Sequence, residues 1–276
     1  MTQAKSLFEA GKLTEAIEEL LREVKANPTD IARRTFLFEL SCFAGDWERA
    51  GRQLDAIGVQ SAEAEMGVQV YRNCIKAERD RARLISDGLQ PHFLAEPPSY
   101  VDMHLDAFNR LREGNATEAR RTLDLAEEER PAFAVRVNGD GFADFRDYDD
   151  FFGPVLELIV QDKYTWLPFE QVVRMEIDEP KHLRDLLWAS AIIETTDKEL
   201  KAFLPVLYPA SSTEANDLVR LGRMTDWKEV GEELYLGRGL HLFAVEGAER
   251  PLLEVRSVEF ERAAGDASSP SPETES

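Results

Sequence analysis

The sequence predicts an α+β fold: an N-terminal array of helical repeats followed by a smaller, antiparallel β-rich domain. Two patterns carry this prediction. In the first half a spaced set of small and apolar residues recurs at a 34-residue offset, and in the second half short strand-like runs follow one another without long helices between them. Charge divides at the same place. Residues 1–140 hold 19 basic and 25 acidic side chains, a net −6, which leaves −14 of the chain's −20 for the remainder.

Gly11, Leu13, Ala16, Leu20 and Pro28 form the first set, and Gly45, Trp47, Ala50 and Leu54 stand 34 residues further on. Gly114, Ala116, Ala119, Leu123 and Pro131 keep the spacing of the first set. A 34-residue period is that of tetratricopeptide-like helix pairs, and each residue type has a physical reason to be there. Glycine permits the turn between two antiparallel helices. The small Ala lets the second helix approach the first, and Pro stops it. Apolar stripes fill in the helices: Leu13, Ile17, Leu20, Leu21 and Val24 on one, Phe36, Leu37, Leu40 and Phe43 on another. Ala62 to Asp87 reads as one long helix, a degenerate repeat without the Gly-x-x-x-x-Ala signature. Pro91, Pro97 and Pro98 then mark a loop before a helix from about Ser99 to Glu113. The alternative is an unrelated helical bundle in which Gly and Ala recur by chance.

The second half opens with a helix-like stretch from Phe152 to Gln161. Strand-like runs follow at Tyr164–Leu167, Val172–Ile177, Ser190–Glu194, Ala202–Tyr208, Leu218–Met224, Leu240–Val245 and Leu252–Phe260. Short, locally connected strands argue for an antiparallel sheet or small barrel rather than βαβ units. The division is therefore 1–138 for the repeats, 139–153 for a connector rich in Asp and aromatics, 154–262 for the β-rich domain and 263–276 for a disordered tail.

Composition narrows the function. Hydrophobic residues make up 43% and charged ones 31%, enough to build a core. A charge of −20 repels nucleic acid and anionic lipid. Two cysteines, Cys42 and Cys74, both in helix-like stretches, fit a reducing, cytoplasmic setting, and no run approaches a membrane span.

The usual chemistries are weakly represented. Asp140, Asp144, Asp147, Asp149 and Asp150 lack EF-hand spacing and alternate with Phe142, Phe145, Tyr148, Phe151 and Phe152. They are read as solvated acids on an aromatic-anchored connector. His92, His104, His182 and His241 are scattered, and no P-loop, dinucleotide loop or nucleophile elbow occurs. No catalytic residue, metal or cofactor is expected. A stacked repeat instead offers a concave face for a peptide. Glu39, Cys42, Phe43, His104, Phe108 and Arg112 would stand near it, although each could equally pack against its neighbours.

The second half also carries distinctive strings: Trp166-Leu167-Pro168-Phe169, Leu183-Arg184-Asp185-Leu186-Leu187-Trp188, Phe203-Leu204-Pro205-Val206-Leu207-Tyr208-Pro209, Leu221-Gly222-Arg223-Met224-Thr225-Asp226-Trp227 and Leu253-Glu254-Val255-Arg256. With the helical first half, these make the chain, over roughly residues 1–262, resemble the ImpE/TagJ family of type VI secretion accessory proteins. One departure is Ala210, where the family pattern carries Gly after Leu-Tyr-Pro, a change that bears on any turn needing positive φ. The resemblance implies a non-enzymatic adaptor that binds the N-terminal helix of the small sheath subunit. It would act on sheath assembly or on recycling by the ClpV ATPase. The competing expectation is an enzyme or small-ligand module in the β-rich half, with Asp185, Arg223, Asp226 and Trp227 around a pocket. The reading favoured for those four is a buried polar and aromatic network that holds the sheet together.

Overall fold

A computed structural model describes residues 2–59 and 62–261. Seven helices come first: α1 (Gln3–Glu9), α2 (Leu13–Ala26), α3 (Ile31–Phe43), α4 (Trp47–Gly58), α5 (Ala62–Asp87), α6 (Ser99–Arg112) and α7 (Ala116–Glu129). The three recurring sets are the pairs α1/α2, α3/α4 and α6/α7. The first helix of each pair ends identically. Gly11, Gly45 and Gly114 take φ of 78°, 69° and 77°. The next amide reaches back five residues, from Lys12 to Leu7, Asp46 to Ser41 and Asn115 to Arg110, at 2.9–3.0 Å. That is a Schellman stop, open to glycine because it lacks a Cβ. Asp46 and Asn115 then cap the following helix, and Ala16, Ala50 and Ala119 are wholly buried at the helix crossings. The repeat in the sequence is a repeat in space.

The second half contains β1 (Val135–Val137), β2 (Asp140–Phe142), β3 (Phe145–Asp147), β4 (Val155–Val160), β5 (Lys163–Pro168), β6 (Val172–Ile177), β7 (Trp188–Thr195) and β8 (Glu199–Pro205). A short helix α8 (Asp217–Arg220) precedes β9 (Thr225–Gly231), β10 (Leu234–Gly239), β11 (Leu242–Val245), β12 (Ala248–Pro251) and β13 (Ser257–Phe260). These pair antiparallel into an eight-stranded sheet β2-β1-β13-β6-β7-β8-β4-β5, a three-stranded sheet β12-β11-β3 and the hairpin β9-β10.

The elements stack in three layers. Val155, Ile159, Trp166 and Trp188, on one face of the large sheet, join the helical core. Leu156, Leu158, Leu167 and Ala189, on the other face, join Phe145, Phe243 and Val245 of the three-stranded sheet. This layering corrects the helix expected at 152–161, which is strand β4. A strand covered on both faces reads as a near-continuous apolar run, here Val-Leu-Glu-Leu-Ile-Val interrupted by Glu157, without period-two alternation. The strand expected at 218–224 is instead α8 and a turn, because Asn216 caps the Leu218 amide and starts a helix. Strands β1–β3 and the β9–β10 hairpin were not expected. The tail expected at 263–276 lies outside the described residues.

Candidate functional site

The residues expected on a concave peptide face are mostly interior. Glu39, Phe43, His104 and Phe108 are all less than 7% exposed, and the reason is the same for each: the chain's own second half covers that face. Glu39 faces Arg184 at 3.4 Å, and burial holds its carboxyl above the usual range despite that partner. Phe43 and Cys42 border a small recess of only about 50 Å³ beside Leu187 and Tyr208. Phe108 packs on Phe151 at 4.7 Å and on Phe152 at 5.4 Å. His104 meets the Phe151 carbonyl through Nδ1 at 3.0 Å, and burial pushes its pKa down to about 4. Arg112 alone is exposed, and its guanidinium donates to Leu84 O and Asn109 Oδ1 over the end of α5.

Polar groups lock the two halves together. Arg81 of α5 makes a two-pronged ion pair with Glu157 of β4 and donates to the Leu207 carbonyl at 2.9 Å. Both side chains of the pair are at most 3% exposed. Burial works to raise the Glu157 carboxyl, but Arg81 outweighs it and holds it below the ordinary range. Tyr164 donates to the same carboxylate. Trp188 Nε1 donates to Glu78 at 3.0 Å, and Arg184 donates to Tyr71 OH at 2.6 Å with its guanidinium over that ring. These groups fasten helices to sheet.

A second buried network corrects the reading of the Asp-rich segment as wholly solvated. Asp147 and Asp149 are each 1% exposed. Asp147 contacts His241 Nε2 and accepts from the Tyr208 hydroxyl at 3.1 Å. Asp149 accepts from the amides of Phe151 and Gly237 at 2.9 and 2.7 Å. Burial, with Asp147 nearby, lifts Asp149 to about 8. Burial would lower His241, but the Asp147 carboxylate overrides it and raises that imidazole. An Asp, a His and a Tyr in contact are catalytic ingredients. Here the recess against Tyr208 is that 50 Å³ cavity, far below the several hundred cubic ångströms a ligand site needs. The network ties β3 to β10 and β11.

Asp185, Arg223, Asp226 and Trp227 do not converge on one pocket. Asp185 accepts from the amides of Lys181 and His182 at the start of a 3₁₀ turn. Arg223 donates to the carbonyls ending α1 and lies over Phe8, and Asp226 accepts from the Trp227 amide. Only Trp227 lines a sizeable recess.

That recess is an open groove of about 730 Å³ between the end of α7, the β9–β10 hairpin and the β11–β12 hairpin. Its aromatic floor is Tyr148, Trp227 and Tyr235, with Tyr148 and Trp227 centred 5.4 Å apart and Tyr235 40% exposed. Five carboxylates and two guanidiniums surround it: Glu127, Asp144, Asp150, Glu246 and Glu249 against Arg130 and Arg146. Arg130 is engaged by Asp144 and Glu127 at 2.6–2.9 Å, and Arg146 by Asp150 at 2.7 Å. Burial acts to raise Asp144, but Arg130 holds it below the usual carboxylate range. Of these groove residues, Trp227 stood in one of the distinctive strings and Tyr148 in the Asp-rich segment. Tyr235, Glu246 and Glu249 had no sequence signal, because they sit on the unexpected strands β10 and β12 and on the turn after β11. Among the described residues no three His, Cys, Asp or Glu side chains are placed to hold a metal ion. No helix there is long and apolar enough to cross a membrane.

Comparison with known proteins agrees with this fold. The model of the family described as ImpE protein matches residues 139–259. The type VI secretion system accessory component TagJ of Pseudomonas aeruginosa is 33% identical over 259 residues, which cover 94% of this chain and 91% of that protein. The crystal structure of protein VPA1032 from Vibrio parahaemolyticus superposes with a TM-score of 0.87 at 26% identity, covering 95% of this chain and 99% of that one. The chain belongs to the ImpE/TagJ family.

Proposed function

We propose that, as a member of this family, the chain is a non-enzymatic accessory adaptor of a type VI secretion system. On this reading it works in the cytoplasm and binds the short N-terminal helix of the small sheath subunit. By holding that helix it acts on sheath assembly, or on sheath recycling by the ClpV ATPase. The single observation that supports an adaptor over an enzyme is how the polar groups are used. The buried ionisable pairs are spent on holding layers together, while the open groove offers aromatic and acidic surface. An acidic surface with a grooved, rigid frame suits capture of a basic, amphipathic segment.

The test is titration of the full chain with a synthetic peptide of that sheath helix, followed by calorimetry. Saturable binding at one site per chain is expected, weakening as salt rises because exposed charges are screened within about 8 Å at physiological ionic strength. A folded chain that leaves both the peptide and the intact sheath subunit unbound would sink the proposal.

A further inference from the structure

We propose that the groove between α7 and the two hairpins is the docking site, and that it takes a segment presenting arginine or lysine. This deepens the adaptor reading and rests on it for the partner's being a protein; what the groove accepts is argued from its own chemistry.

The sign of its free charge comes first. Both guanidiniums in its wall are already neutralised by carboxylates. The Glu249 side chain makes no hydrogen bond or ion pair among the described residues, and the Glu246 carboxylate accepts only from the Ala143 amide at 2.9 Å. The charge left to meet a partner is therefore negative. The floor supplies the matching surface, since a cation held over Tyr or Trp faces the negative side of the ring. Trp227 and Tyr148 form one aromatic step, and Tyr235 stands on the adjacent strand.

The floor is also preorganised, which lowers the ordering cost of binding. Trp227 rests on the buried Tyr208 ring at 5.7 Å, and Asp149 pins the Gly237 amide of the same hairpin. A second copy of this chain is a poor occupant, because two bodies of −20 repel. An acidic peptide is excluded on the same ground.

The experiment titrates the full chain with the sheath-helix peptide and with the same peptide carrying Gln in place of its Lys and Arg. Three variants accompany wild type: Glu249→Lys, Trp227→Phe, and Glu194→Lys, an exposed strand residue of β7 serving as a charge-matched control. Melting curves confirm that each folds. Glu249→Lys should weaken binding by about tenfold or more at low salt and Glu194→Lys by less than about threefold. The Gln peptide should bind wild type weakly and lose little more on Glu249→Lys, the coupling expected of a direct pair. The tryptophan fluorescence change on binding should vanish in Trp227→Phe. If wild type binds the peptide but Glu249→Lys and Glu194→Lys weaken it equally, the groove is not the site, although the adaptor reading stands. If wild type ignores the sheath peptide, that reading fails. An arginine-faced synthetic helix then decides the groove by the same fluorescence signal, with a response supporting it and silence overturning it.

Discussion

The covered face of α3 and α5 and the groove beside α7 are built from the same materials and do opposite things. Each has aromatic rings, arginines and carboxylates. On the covered face, Phe38, Tyr71 and Trp188 stack within 6.4 Å of one another, and Glu39, Glu78 and Glu157 each meet a donor from across the interface or from α5. In the groove the rings are open and two acids keep charge to spare. Residue type therefore does not tell a binding face from a structural one; what covers it does. The concave face a lone repeat array would offer to a peptide is here filled by the chain's own sheet.

The contrast is broken most forcefully at the buried ion pair. Arg81→Ala should destabilise the fold by about 3–5 kcal/mol in denaturant unfolding, because it strands the Glu157 carboxylate without its partner. Replacing both residues, with Arg81→Met and Glu157→Leu together, should recover most of that loss. If the single variant unfolds like wild type, the halves are not locked where the geometry says.

Acid should reach the covered face next. His104 has a folded pKa of about 4 against an ordinary 6.5, so protonation favours the unfolded chain. Its contribution is complete above pH 6.5 and is lost as pH falls through 4, about 3 kcal/mol in all. His104→Asn keeps a donor for the Phe151 carbonyl and removes the titration. Its stability should fall less between pH 6.5 and 4 than that of wild type, as followed by unfolding at fixed pH values. Parallel pH profiles would contradict the assignment.

The groove should respond in the reverse manner. Trp227→Ala should cost under about 1 kcal/mol of stability, since the ring is half-buried, yet abolish measurable peptide binding. A large stability loss would move Trp227 from the binding class to the structural one.

The smallest effect concerns neither face directly. Ala210 has φ of +61°, in the left-handed region, and is exposed. Ala210→Gly should therefore raise stability by about 0.5–1 kcal/mol, the strain of the Cβ partly offset by glycine's greater freedom when unfolded. An unchanged or lower melting temperature would show that the turn relaxes around Ala.

The helical repeats were legible because their signals are local. Gly11, Gly45 and Gly114 end helices by their own backbone conformation, and Ala16, Ala50 and Ala119 mark crossings five residues later. The strand class of the second half was legible too, but β4 was not, since burial on both faces erases the alternation that marks a strand. Long-range pairing hid the rest. Asp147 meets His241 across 94 positions, and Arg81 meets Glu157 across 76, so neither network has a spacing to read. The expected peptide face failed for the same reason. Glu39, Phe43, His104 and Phe108 were placed by their helices, while their burial was set by segments far along the chain, 145 positions away in the case of Glu39 and Arg184.

Hydrogen exchange of the full chain with and without the sheath-helix peptide tests the central claim most directly, because it reads the covered face and the groove in one experiment. Slowed exchange is predicted at the amides of β9 to β12 and the last turn of α7, with α3 and α5 unchanged. Slowing confined to α3 and α5, with both hairpins unaffected, would contradict the account and return the binding face to the helical array.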